Sequence, residues 1–93
     1  MRRIKLTVAY DGTDYCGWQI QPNGITVEEV LNKALSDLTK ETVKVIGASR
    51  TDAGVHARGN VAVFDTKSPI PPERIAYAVN ALLPDDIVVV RSE

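Results

Sequence analysis

Val43-Lys44-Val45-Ile46-Gly47-Ala48 and Asn60-Val61-Ala62-Val63-Phe64-Asp65-Thr66 are two β-branched runs with no helical pattern between them. Both read as strands. Their adjacency decides the fold, because on either side the chain alternates strand with helix. Upstream, Ile4, Leu6, Val8 and Tyr10 alternate with Arg3, Lys5, Thr7 and Ala9. That period of two marks a strand with one buried face. Thr26 as N-cap and Glu29 three residues on form a capping box. The helix it opens carries Val27, Val30, Leu31, Ala34, Leu35 and Leu38 on one face and should stop near Lys40. Downstream, Ser68-Pro69-Ile70-Pro71-Pro72 is a rigid lead-in to a second helix, with Pro72 in its first turn. Its apolar stripe is Ile75, Ala78, Val79 and Leu82; Pro84 ends it, and Asp85-Asp86 make the turn. Ile87 to Val90 is an unbroken apolar run, which predicts a strand buried on both faces. Strand, helix, strand, strand, helix, strand is the split βαβ order. It predicts an α+β, ferredoxin-like βαββαβ unit, a four-stranded antiparallel sheet with both helices on one face and the other face open.

Ninety-three residues make one domain with a single small core. A formal net charge of −1 lacks the basic excess usual in nucleic-acid-binding domains. Arg2, Arg3, Lys5, Arg50 and Arg58 can still share one region, with Glu28, Glu29, Asp37, Asp85 and Asp86 elsewhere; the simpler reading is a mixed solvated surface. No apolar run approaches the length of a membrane span, and Met-Arg-Arg leads straight into a strand pattern rather than a signal sequence. A single cysteine, Cys16, cannot form an internal disulfide and fits a reducing cytoplasm. It reads as a small buried or half-buried side chain.

Between the two central strands lies Ser49-Arg50-Thr51-Asp52-Ala53-Gly54-Val55-His56-Ala57, which holds the chain's one histidine. Adjacent strands are normally joined by about two to five residues, and longer loops in compact domains are usually functional or disordered. The composition argues against disorder. Arg50 favours an ionised Asp52, and Gly54 permits a tight turn or a close approach to a ligand. Asp52 and His56 are spaced for one helical turn, but two ligands with no further Cys/His cluster do not make a metal site. An ionised carboxylate in a pocket serves either as a nucleophile or as a general base, and these residues alone do not choose. A second loop, Tyr10-Asp11-Gly12-Thr13-Asp14-Tyr15-Cys16-Gly17-Trp18-Gln19, reads as a core-capping loop anchored by Trp18 or as a substrate contact. Gln19 and Gln21 are candidate donors to phosphates or base edges.

Three segments carry a resemblance to the tRNA pseudouridine synthase A family: Tyr10-Asp11-Gly12-Thr13 with Gly17-Trp18-Gln19; Arg50-Thr51-Asp52-Ala53-Gly54-Val55-His56-Ala57; and Gly59 through Phe64. The middle segment is the most specific. The resemblance runs over all 93 residues and covers the N-terminal part of the family's longer chain. It implies an isomerase that converts uridines on the 3′ side of the tRNA anticodon stem-loop to pseudouridine, with no cofactor and no metal. It implies Asp52 as the catalytic nucleophile, and Arg50 as the residue that helps extrude the target nucleotide. Thr51, His56 and Arg58 are implied as further substrate-binding residues. It also implies a cytoplasmic homodimer with tRNA lying across both subunits. Ser49 stands where the family often has glycine, and Asn60 where glutamine is common. The resemblance places the family's active-site tyrosine, a basic partner for the aspartate and much of the dimer contact beyond Glu93. The chain by itself is therefore expected to fold but to lack activity.

Two other readings compete. A non-catalytic RNA-binding module would stack bases on aromatic residues of the open sheet face, where Phe64 and Tyr10 are the candidates. A structural interaction domain would associate through exposed strand edges.

Overall fold

The computed structural model describes residues 1–18, 24–47 and 57–93, with the backbone alone at residues 57 and 58. The strands are β1 (Arg2–Tyr10), β2 (Ile46–Gly47), β3 (Ala57–Thr66) and β4 (Ile87–Ser92); the helices are α1 (Val27–Thr39) and α2 (Pro72–Asn80). The sheet order is β2-β3-β1-β4, antiparallel throughout, so the ferredoxin-like arrangement expected from the two adjacent strand runs is the one found.

One face of the sheet makes the core. Ile4, Leu6, Val8 and Tyr10 of β1 meet Ala62 and Phe64 of β3 and Ile87 and Val89 of β4. Both helices close over that face: Val27, Leu31, Ala34 and Leu35 come from α1, and Ile75 and Val79 from α2. Half-buried Val30 and Leu38 complete the predicted α1 stripe. The α2 stripe needs a correction. The helix ends at Asn80, before Pro84, so the chain turns early; Leu83 enters the core and Leu82 stays exposed.

The last strand also differs from expectation. Ile87 and Val89 are buried, but Val88 and Val90 are exposed, so β4 is not buried on both faces. It lies at the sheet edge, and among the described residues no layer covers the second face. A bulge places Val90 as an extra residue between the Thr7–Arg91 and Val8–Val89 pairs, so two successive residues, Val90 and Arg91, are exposed. Asn80 covers part of this free edge: its side-chain amide donates to the Val89 carbonyl at 2.9 Å and accepts from the Val89 N–H at 2.8 Å.

The run Val43 to Ala48 is shorter as a ladder than it reads. Val43 and Val45 are buried in alternation, but their N–H groups donate to Ser36 Oγ and Asn32 Oδ1 on α1, at 2.9 and 2.8 Å. Helix side chains take the place of a strand partner there, and among the described residues of the run Ile46 and Gly47 alone pair with β3.

Candidate active site

Arg50, Thr51, Asp52 and His56 lie outside the described residues, as do Gln19 and Gln21, and nothing is described of the Arg58 side chain. The frame from which those residues depart is described. Segment 48–56 leaves from Gly47, which pairs with Ala62, and returns at Ala57, which pairs with Tyr10. Between the Val8–Asn60 and Tyr10–Ala57 pairs, Ala9 alone stands opposite Arg58 and Gly59. This bulge puts an extra β3 residue immediately after the segment, a position where bulges re-aim side chains beside functional sites.

Beneath both ends sits an aromatic pair. Trp18 is 2% exposed and Tyr10 5%, and their rings are 5.9 Å apart, tilted by 32°. Gly47 touches the same indole so closely that a Cβ there would lie 2.2 Å from Trp18 Nε1 and 2.7 Å from Cε2. Only glycine fits under that ring without a shift.

Loop 11–18 holds Trp18 in place through hydrogen bonds at several points. Asp11 caps a single 3₁₀ turn, Gly12–Asp14, by accepting from Thr13 N–H at 3.0 Å. The Asp11 N–H donates to the Asp86 carbonyl at 2.9 Å. Buried Tyr15 donates its hydroxyl to Asp86 Oδ1 at 2.6 Å. Burial first, and then the Asp86 carboxylate, push the Tyr15 phenol well above the ordinary tyrosine range. Gly17 takes φ 88°, a conformation that costs a residue with a Cβ. Its carbonyl accepts from Val27 N–H at 3.2 Å, and the Trp18 carbonyl accepts from Glu28 N–H at 3.0 Å. Thr26 Oγ1 accepts from Glu29 N–H at 3.3 Å, as the capping box requires. Three of the N–H groups that an α-helix leaves open at its start are thereby satisfied from outside the helix. The anchoring role read for Trp18 holds, and Cys16 is half-buried as expected.

The basic cluster does not assemble among the described residues. Arg2 turns toward the β3–α2 connection and donates to the carbonyls of Ser68 and Ile70, the latter at 2.8 Å. Arg3 makes a bidentate pair with Asp65 at 2.9 and 3.1 Å, and Lys5 lies 3.8 Å from Glu93. These exposed pairs make a mixed surface, worth little in stability.

The aromatic residues of the RNA-stacking reading are also displaced. Tyr10 and Phe64 point into the core, at 5% and 2% exposure. Tyr15 and Trp18 are buried too, and exposed Tyr77 belongs to α2. The open sheet face therefore offers no aromatic ring to a base.

Comparison with known proteins fits this frame. A family described as tRNA pseudouridine synthase matches residues 6–93. The chain belongs to the tRNA pseudouridine synthase family. It is 61% identical over its whole length to tRNA pseudouridine synthase A of Ruminiclostridium cellulolyticum, of which it covers 38%. It is 56% identical to the protein of that name from Thermoanaerobacter sp. strain X514, again over all of this chain and 38% of the relative. For Geobacter sulfurreducens the identity is 56% over 96% of this chain and 36% of the relative. The chain thus spans well under half the length of these pseudouridine synthases. Among the described residues no helix is long and apolar enough to cross a membrane.

Two residues that support the ends of segment 48–56 and the loop beside it were not read as such from the sequence. Asp86 read as a turn residue, yet its side chain and carbonyl tie the first loop to the β4 end. Gly47 read as an ordinary strand position; its signal was a glycine at the end of a β-branched run, where close backbone approach is one standard reason for glycine.

Proposed function

We propose that this chain is the aspartate-bearing N-terminal part of a tRNA pseudouridine synthase acting on uridines at the 3′ side of the anticodon stem-loop. The observation that carries the reading is the family match over residues 6–93, which includes Arg50-Thr51-Asp52. In this reaction the bond between a ribose carbon and a base nitrogen breaks. The base turns and rejoins through a ring carbon, and that carbon loses a proton while the nitrogen gains one. Nothing is added or removed overall, so the isomerisation calls for no redox partner. An ionised Asp52 acts as the nucleophile that holds the reacting centre while the base is free. Arg50 takes the place of the extruded nucleotide in the stack; extrusion costs a few kcal/mol, and a positioned cation helps to offset it. Thr51, His56 and Arg58 bind substrate. No metal or cofactor takes part, and the residues that complete the cleft lie beyond Glu93. The whole protein works in the cytoplasm as a homodimer across which the tRNA lies.

The test is pseudouridine formation in an unmodified tRNA by the full-length protein that carries this chain. Asp52→Ala is expected to abolish turnover, a loss of about 10⁴-fold or more, while tRNA is still bound. Turnover indifferent to Asp52 overturns the reading.

A further inference from the structure

We propose that Trp18, seated on Tyr10 and against Gly47, is a positioning residue for the Asp52-bearing segment and acts on it through Gly47. The inference rests on the reading of Asp52 as the reacting carboxylate, and its geometry is independent of that reading. Both ends of segment 48–56 meet the same aromatic pair. Gly47 lies under the indole, and Ala57 is paired with Tyr10, whose ring packs on that indole. The indole is fixed from the other side as well, because the Gly17 and Trp18 carbonyls accept from the first N–H groups of α1.

The two partners in the Gly47–Trp18 contact are unequally held. Trp18 is 2% exposed and packed in a rigid core. β2 is the outer strand of the sheet, and among the described residues it pairs with β3 through Ile46–Val63 and Gly47–Ala62. When the contact is overfilled, β2 is the side that yields. A Cβ at Gly47, 2.2 Å from Nε1, displaces the departure point of the segment by about an ångström before ordinary contact is restored. A misplacement of that size at a catalytic group costs on the order of 10²-fold in rate without a comparable loss of binding.

The experiment uses the full-length protein with four variants: Gly47→Ala, Trp18→Leu, the double variant, and Asp52→Ala as control. Melting temperature, tRNA binding, kcat and KM are measured on an unmodified tRNA. Gly47→Ala is expected to lower kcat by about 10- to 100-fold with KM for tRNA changed by no more than about twofold. The double variant should lose less than the product of the two single losses, because leucine ends before the indole atoms that the new methyl group meets and the clash is absent. A merely structural contact would not give this kcat–KM split or the non-additivity in kcat. Wild-type kcat in folded Gly47→Ala overturns the proposal, and so does a double variant whose loss equals the product of the two single losses. If Gly47→Ala does not fold, Trp18→Leu decides: reduced kcat with KM retained supports positioning, and wild-type kcat overturns it. An active Asp52→Ala instead sinks the catalytic reading, an outcome separate from either.

Discussion

The two ends of α1 are built by different means. At its N-terminus the open N–H groups are taken by the Gly17 and Trp18 carbonyls and by Thr26, and the loop that supplies them rests on buried aromatic rings. At its C-terminus Lys40 adopts φ 60°, a left-handed conformation without glycine's freedom. The next residue, Glu41, reaches across to β3, accepting from Thr66 Oγ1 at 2.5 Å and from Lys67 N–H at 2.8 Å. Thr66 in turn accepts from Ser68 N–H at 3.0 Å, and Arg2 binds the Ser68 and Ile70 carbonyls. The first end is apolar and rigid, and the Asp52 segment departs from it. The second end is polar and closes the domain. Packed rings fix a position with little tolerance, because a dense core transmits strain, whereas charged side chains bonding to backbone tolerate adjustment.

That contrast can be broken most sharply at the first end. Tyr15→Phe removes a buried donor to a carboxylate and should destabilise the fold by about 1.5–3 kcal/mol, seen as a lower urea midpoint at unchanged slope. It should also loosen loop 11–18 locally, visible as faster amide exchange at Cys16 and Trp18 than at Leu31. Equal exchange changes at the two ends of α1 would remove the distinction drawn here.

A smaller effect of opposite sign is expected at Lys40. Lys40→Gly relieves the left-handed conformation and should stabilise by about 1 kcal/mol in the same titration. A loss of stability would mean that the lysine side chain contributes more than its backbone costs.

Glu41→Gln should give the smallest change at neutral pH, and its pH dependence is diagnostic. The Thr66 hydroxyl, followed by the Lys67 N–H, holds the Glu41 carboxyl below its ordinary range. A depressed folded-state value favours the charged form in the fold. Its contribution is therefore present at neutral pH and is lost as pH falls through that lowered value. The melting-temperature gap between wild type and Glu41→Gln should be present at pH 7 and close on acidification. A gap that widens toward acid would reverse the assignment.

Much of this was legible in the residues. The capping box at Thr26 and Glu29, the α1 stripe, Pro72 in the first turn of α2 and the alternation in β1 all act through neighbours a few positions apart, and local spacing reports them faithfully. The reading failed where distant partners decided. Ile87 to Val90 reads as buried on both sides, and the uncovered second face of the sheet exposes Val88 and Val90. Val43 and Val45 read as ladder residues, but α1 side chains take their N–H groups.

By itself the sequence determined the element order, the antiparallel ferredoxin-like sheet and the segment to which chemistry is assigned, because hydrophobic period, caps and turn residues are local properties of a chain. Only the tertiary structure decided which strand faces stay open, that Tyr10 and Phe64 serve the core, and that Trp18, Tyr10, Gly47 and Ala57 meet beneath the two ends of segment 48–56. Those outcomes depend on burial and on pairing between residues tens of positions apart, and no pattern within a single element encodes them.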